Sequence, residues 1–539
     1  MLFKYYLSVA YLYKQVENNF IKKPNSTLSI FLLLLFLVIL DRTLFLVNFS
    51  FQYVDSDQMI YWQAANDYMK GFFHEPYFYG QNYSFLLEAL LSVPFLKLGV
   101  PLNYSMPIVT SILSLFPFVL FAFVLYRKSF FVESFVFLAI PIALPIEYEI
   151  LTSITRGFVT GLFASGFLIF CLIKPHKKSS FILLGSISGL AYILNPNSII
   201  FVLPIGIYML LKNYKSFYFY IFNIISVTPF LFIEYLSKQF YIHHPEYIVH
   251  SMWTLNYSFK TLITAFGHLD NFFSYLTPVV WIWGWIVLLL LAVLGVFLFV
   301  KNKKKGLSIL ISLIFILASL GVNKINDGLN TVFLSPIRMF LGIPLLFGLS
   351  IIWTKKYFTV KDLYWKYSII LICCILFCVK ASLYKPIIKY HTLTENYGPI
   401  AIKKLKQLRC ECSVINNIVK EHNIDLIIFL PDWKRNVPYM EFYNYGCPLL
   451  VKDFAPTFMN VYERRTWVYK QEKNTVRKNL LIYGYIEAVF LTKIEKNNLI
   501  YIEEETTVIR NNTLTTKALL KMLNLTLKRS AYKKFNDYN

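Results

Sequence analysis

The stretch from Tyr53 to Tyr83 reads YVDSDQMIYWQAANDYMKGFFHEPYFYGQNY, and it begins just after a long apolar run, residues 27–48. Two carboxylates, Asp55 and Asp57, therefore stand a few residues beyond a membrane exit, ahead of an aromatic loop punctuated by Gly71 and Gly80. Acids at that depth lie where lipid head groups, water and apolar walls meet. If a helix starts at these acids, Asp57 and Tyr61 share one of its faces and Asp55 does not.

Outward from that stretch, the composition is that of a membrane protein. The chain has 539 residues, 57% of them hydrophobic and only 15% charged, where a soluble domain carries about 25% charged residues. Apolar runs of the length a bilayer demands, about 20 residues, recur at 27–48, 104–126, 130–149, 158–173, 180–194, 198–211, 217–237, 278–300, 306–322, 338–354 and 366–385. The predicted fold is an all-α polytopic bundle of about eleven transmembrane helices over residues 1–385, followed by a small α/β domain over 386–539. Ser84–Gly99 carries Glu88, Pro94 and Lys97 and is read as lying in the interface.

A net charge of +23 would suit a nucleic-acid partner, but its distribution excludes one. Fifteen Lys or Arg crowd into the short loops at 127–128, 174–178, 212–215, 301–305 and 355–366, while the longer alternate loops hold few. That is the positive-inside asymmetry of a plasma-membrane protein. It predicts a cytoplasmic N-terminus, with Lys22 and Lys23 before the first run. Odd parity then places residues 386–539 and the loops 49–103 and 238–277 outside. The first apolar run is too long and starts too late for a cleaved signal.

The tail, with 24 Lys/Arg against 15 Asp/Glu, changes character. Ser413 is read as capping a helix, 425–431 and 480–485 as strands, and Thr515–Lys534 as an amphipathic helix for a membrane surface or for solvent. Cys410, Cys412 and Cys447 allow one disulfide, from Cys447 to Cys410 or Cys412; the other four cysteines fall in apolar runs. Gly157, Gly161 and Ser165, and Gly185 with Gly189, have the spacing of close helix packing. His243, His244 and His250 share one loop without metal-ligand spacing, so no metal ligand is assigned and a divalent cation stays open.

Asp57-Gln-Met-Ile-Tyr61, then Ala64-Ala65, Gly71, Tyr79-Gly-Gln-Asn-Tyr83 and Glu88-Ala89 resemble the first outer loop of the GT-C membrane glycosyltransferases. The likeness is to the polyprenyl-phosphate-sugar-dependent enzymes related to protein mannosyltransferases and to the aminoarabinose transferase of lipid A. It is specific over 53–99, diffuse over the other apolar runs and weak in the tail. The resemblance implies that Asp57, before Asp55, is the catalytic base. Gln58 departs from the Glu common in relatives, which leaves Asp55 as the alternative second acid. It also implies a lipid-phosphate-sugar donor, contacted by Tyr61, Tyr79, Gln81 and Glu88.

Arg338, at the head of a late apolar run, and Arg156 are candidates for the donor phosphate, because guanidinium pairs donors onto phosphate oxygens. Glu147 and Glu149 form a second tier of acids. Asp41 and Arg42, inside the first run, each require a partner within the bundle, since neighbours in sequence do not face each other. The expected function is transfer of a sugar from a polyprenyl-phosphate carrier to an extracytoplasmic glycan, lipid or protein. The alternatives are a membrane transporter or lipid flippase, and an envelope polysaccharide polymerase or ligase.

Overall fold

The computed structural model describes residues 26–525 apart from 82, 248–255, 282, 327–330, 359–360, 395–401, 431–439, 461–462, 496–497 and 504. Lys22, Lys23, His250 and residues 526–534 lie outside the described residues. All eleven apolar runs fall on helices. They are α1 (Ser26–Phe45, widening into a π-turn at Leu46–Ser50), α4 (Leu102–Arg127), the pair α5 (Phe131–Ala143) and α6 (Ile146–Ser153), α7 (Thr160–Ile173), α8 (Lys178–Leu194), α9 (Ile199–Asn213), α10 (Phe217–His243), α11 (Trp285–Lys301), α12 (Lys303–Ser319), α13 (Ile343–Lys355) and α14 (Asp362–Thr394). Between α1 and α4 lie β1 (Tyr53–Asp55), α2 (Ser56–Met69) and α3 (Leu87–Lys97), the last on the Ser84–Gly99 segment.

Length and apolarity qualify five of the described helices to cross a bilayer, or six if α5 and α6 count as one broken span. The 130–149 run is not the straight span expected of it: it bends by 90° at Leu144-Pro145. Pro145 forces Leu144 into extended backbone, ψ 152°, which ends α5.

The charges inside α1 find their partners far along the chain. Asp41 meets Lys380 of α14 at 2.5 Å and accepts the Tyr384 hydroxyl. Lys380 also meets Glu149 of α6 at 2.7 Å, and Glu149 pairs with Arg42 at 3.3 Å. Arg42 adds a bond to Thr152 Oγ1 at 3.1 Å. Two cations and two anions thus cancel, clamping α1, α6 and α14 together where unpaired ions would be prohibitive. Gly189 lets α10 approach α8 closely: a Cβ there would lie 2.9 Å from Phe230 Cβ.

The tail forms a mixed five-stranded sheet. Its strands are β3 (Leu426–Phe429), β4 (Thr457–Met459), β5 (Asn479–Tyr483), β6 (Leu499–Glu503) and β7 (Thr506–Arg510), in the order β4-β3-β5-β7-β6. β3 runs parallel to β4 and β5; β7 is antiparallel to its neighbours. A separate strand, β2 (Ile402–Lys404), pairs antiparallel with β1, setting Asp55 opposite Ile402. α15 (Leu405–Glu421) starts two turns ahead of the expected cap; Ser413 sits mid-helix and donates to Arg409 O at 2.8 Å. Cys412 of α15 is bonded to Cys447, leaving Cys410 exposed and free.

Period-2 alternation divides the sheet's residues between two cores. Leu426, Ile428, Leu480 and Ile482 pack with Leu519, Leu520 and Leu523 around α16 (Thr516–Met522), so the described part of the terminal helix covers the sheet and not a membrane surface. Ile427, Phe429 and Leu481 instead join Leu408, Ile415, Met59, Ala64 and Ala65 in one cluster. The C-terminal domain therefore shares its core with α2, the helix that follows Asp55.

Candidate active site

Asp55 is the N-cap of α2. Its carboxylate accepts the Gln58 N–H at 2.8 Å while Gln58 Oε1 accepts the Asp55 N–H at 3.0 Å, closing a capping box. The departure at Gln58 has a physical reason in this arrangement. A carboxylate there would set a second buried anion against Asp55, whereas an amide makes the cap without charge.

Asp55 is 0% exposed and receives the Arg156 guanidinium, from Nε at 2.9 Å and from Nη2 at 2.8 Å. Burial pushes its carboxyl up to about 6, against the pull of Arg156 and with a further push from Asp57. The remaining Arg156 nitrogen, Nη1, donates to the Phe333 carbonyl.

The loop carrying Arg156 is fixed from several sides. Gly157 N–H donates to Glu88 of α3 at 2.6 Å, and Gly157 O accepts Asn195 Nδ2 at 2.9 Å. Gly157 is not part of a helix-packing stripe as its spacing suggested. It has φ +75°, and a Cβ there would lie 2.6 Å from both Tyr61 Oη and Ser84 Oγ, so backbone conformation and space both demand glycine. Burial raises Glu88 to about 7, while the Gly157 N–H opposes the shift. Burial, then the charge of Glu88, lifts the Tyr61 hydroxyl well above its ordinary value.

Arg338 enters beside this loop on a short 3-10 turn, Pro336–Phe340, capped by Ser335 Oγ at 3.2 Å from the Ile337 nitrogen. Its guanidinium lies 5.7 Å from the Phe158 ring centre. Asn197 Nδ2 donates to both Phe158 O at 2.9 Å and Arg338 O at 3.2 Å. One amide thus ties the two arginine-bearing segments together.

Asp57 occupies the next position around α2 and remains half-buried. Its charge acts on Asp55, on Tyr61 and on Glu441 of the C-terminal domain. The same domain brings Arg464 to 5.5 Å from the Phe78 ring. Asp57 therefore sits at the seam between the helical bundle and the α/β domain, two residues along from the acid that holds Arg156.

The structure gathers Asp55, Asp57, Tyr61, Glu88, Arg156 and Arg338 into one neighbourhood. Tyr79 stands apart, donating to Asp67 at 3.0 Å and meeting Trp467 edge-on at 5.1 Å. Gln81 closes the turn onto Phe78 O at 2.8 Å. Glu149 is committed to Lys380 and Arg42, and Glu147 faces His391 at 3.1 Å. His243 Nδ1 lies 2.8 Å from Gln239 O, and among the described residues no three His, Cys, Asp or Glu converge as metal ligands. Asn195, Asn197 and Lys380 escaped the sequence reading. The signal for the first two was an Asn-Pro-Asn break between apolar runs; for Lys380 it was a lone cation in an apolar one.

The fold and site define an integral membrane protein whose helical bundle carries a C-terminal α/β domain against a buried acid-arginine centre. Its fold is similar to that of ArnT from Cupriavidus metallidurans in the apo state, with a TM-score of 0.52 and 9% identity over 91% of this chain and 98% of that one. The same ArnT bound to undecaprenyl phosphate aligns with a TM-score of 0.47 and 10% identity, over 88% of this chain and 97% of that one. No protein-family model and no curated protein matches the sequence.

Proposed function

We propose that this protein is a membrane glycosyltransferase that moves a sugar from a polyprenyl-phosphate carrier to an extracytoplasmic glycan, lipid or protein. The observation that carries this reading is the contrast between the two acids. Asp55 is buried and paired with Arg156, whereas Asp57 is half-buried and makes no ion pair among the described residues. Asp57 is the base: it takes the acceptor hydroxyl proton as the oxygen attacks the anomeric carbon. The bond from that carbon to the phosphate oxygen breaks, and the electron pair leaves with the lipid phosphate. Direct displacement inverts the anomeric centre.

Arg338 and Arg156 give the site its positive floor for the leaving phosphate, in a dry setting where charge-assisted contacts are strong. Asp55 holds Arg156 and caps α2, so it positions both partners. Eleven crossings with the C-terminal domain outside agree with three features. The lysine asymmetry has that sense, α1 and α14 end at one shared groove and so run in the same direction, and the Cys412–Cys447 disulfide suits an oxidising compartment.

The test is transfer by the purified protein in nanodiscs, supplied with a polyprenyl-phosphate sugar and cell-envelope acceptors. Release of free polyprenyl phosphate that depends on acceptor and disappears in Asp57→Asn is the expected result. A donor left intact under every acceptor fraction overturns the reading.

A further inference from the structure

A second polar site lies away from the acid-arginine centre, at the common end of α1 and α14. A groove of about 290 Å³ opens there, lined by Asn48, Gln52 and Tyr53 from one side and Lys385, Lys389 and Leu393 from the other. Lys385 and Lys389 are one turn apart on α14 and both exposed, and neither makes an ion pair among the described residues. Lys404 adds a third cation: it stands opposite Tyr53 in the β1–β2 register, and opposed residues face the same side of the ladder.

Asn48 and Gln52 each give one amide N–H to the backbone, at Leu44 O and Val47 O, both at 2.7 Å. Each amide keeps its second N–H and its carbonyl oxygen, and the oxygen accepts hydroxyl protons. Val47, next to Asn48, and Val379, on α14, are exposed apolar side chains fit to meet acyl chains.

We propose that this groove holds the headgroup of an anionic, hydroxyl-bearing phospholipid, with the phosphate on Lys385 and Lys389 and the hydroxyls on Asn48 and Gln52. Clusters of lysine at a membrane boundary select anionic headgroups. The amide oxygens add preference for a glycerol over a choline headgroup, which has no hydroxyl to donate. The site is separate from the one proposed for the donor. Tyr53 stacks on Phe49 at 5.5 Å, and Phe49 stacks on Phe333 at 6.3 Å, whose carbonyl receives Arg156. This three-ring wall stands between the groove and the arginine floor, and it gives a bound headgroup a packed route to that floor.

The proposal rests on membrane embedding and not on the glycosyltransferase reading, so its test needs no turnover. The full chain is placed in nanodiscs of phosphatidylcholine, with or without phosphatidylglycerol, and exposed lysines are acylated by a water-soluble reagent and read by peptide mass spectrometry. Lys361, at the far end of α14, reports any change in general surface potential. Phosphatidylglycerol is expected to slow acylation of Lys385 and Lys389 about tenfold relative to Lys361, the effect of roughly one charge-assisted hydrogen bond. Asn48→Leu with Gln52→Leu is expected to weaken that protection. Equal slowing at Lys361, or none at Lys385 and Lys389, overturns the site. Protection by inorganic phosphate in pure phosphatidylcholine discs, with none added by phosphatidylglycerol, overturns the lipid as its occupant.

Discussion

Asp55 and Arg156, 101 positions apart in the chain, meet side chain to side chain at 2.8 and 2.9 Å, both buried. A buried pair of this kind adds little stability over an apolar pair, yet removing one member strands the other charge. That asymmetry separates the roles of the two acids that flank Ser56.

Asp57→Asn is expected to reduce transfer by about 10²–10⁴-fold, the usual yield of a general base, and to leave thermal unfolding unchanged. Asp55→Leu, which leaves Arg156 no oxygen to meet and α2 no cap, is expected to lower stability by about 3–5 kcal/mol, the range for a stranded buried charge. Unfolding in detergent, measured beside donor turnover, distinguishes the two. Wild-type stability in Asp55→Leu, or more than a tenth of wild-type turnover in Asp57→Asn, defeats this division of labour.

Acidity offers a second view of the same pair. The folded value of Asp55, about 6, lies above its ordinary value, so folding favours its protonated form. Its stabilising contribution is complete below about pH 4 and is lost as pH rises through about 6. Activity should run the other way, since a proton on Asp55 cancels the charge that holds Arg156. Transfer rates are expected to fall as pH drops through about 6, with no loss of fold from this carboxyl. The pH–rate profile of residual activity in Asp55→Asn should lack that limb; a limb that persists there belongs to another acid, Glu88 first.

Gly157→Ala tests the loop that carries Arg156. An alanine there must hold φ +75° and fit a Cβ 2.6 Å from two hydroxyl oxygens. Backbone strain of this type costs about 1–3 kcal/mol, and displacement of Arg156 is expected to lower activity as well. Gly189→Ala, which crowds α8 against α10 and touches none of the acids, should lower stability while sparing the turnover of the protein that stays folded. Equal effects of the two on turnover per folded molecule contradict a special place for Gly157.

Much of this was legible in the sequence because lipid leaves backbone few options. Apolar length predicted helix at all eleven runs, and short continuous apolar runs predicted β3 and β5. The capped helix was misjudged at Ser413 because α15 starts from the β2 strand, whose pairing with β1 is a contact across some 350 residues of chain. Long-range partners of this sort, Lys380 for Asp41 and Phe333 for Arg156, leave no local periodicity to read. Gly157 was assigned to a packing stripe because spacing alone cannot distinguish a helical glycine from one with positive φ.

Cys410 provides the topology test, being exposed and unpaired while Cys412 and Cys447 are bonded to each other. A membrane-impermeant maleimide is expected to label Cys410 in intact spheroplasts without reductant, and Cys410→Ser should abolish the signal. Cys447, buried and oxidised, should react only after reduction and unfolding. Labelling of Cys410 confined to lysed cells places the C-terminal domain in the cytoplasm and removes one crossing from the count of eleven.

The donor phosphate is the remaining step. Arg338 is buried, set on a capped 3-10 turn, and linked through Asn197 to the segment bearing Arg156. If the guanidinium grips the leaving phosphate, Arg338→Ala loses a charge-assisted contact worth about 1.5–3 kcal/mol, or roughly ten- to a hundredfold in donor affinity. Arg338→Lys should restore only part of it, because an ammonium lacks the planar fork. Acceptor affinity should hardly move, since acceptor activation is the task of Asp57 on the other side of the scissile bond. Asn197→Asp is an informative companion: it replaces the bridging amide by an acceptor that cannot donate to Arg338 O, so it should disturb donor binding while leaving every cation in place. Donor titrations that superimpose for wild type and Arg338→Ala assign this residue a packing role, and leave Arg156 as the guanidinium for the phosphate.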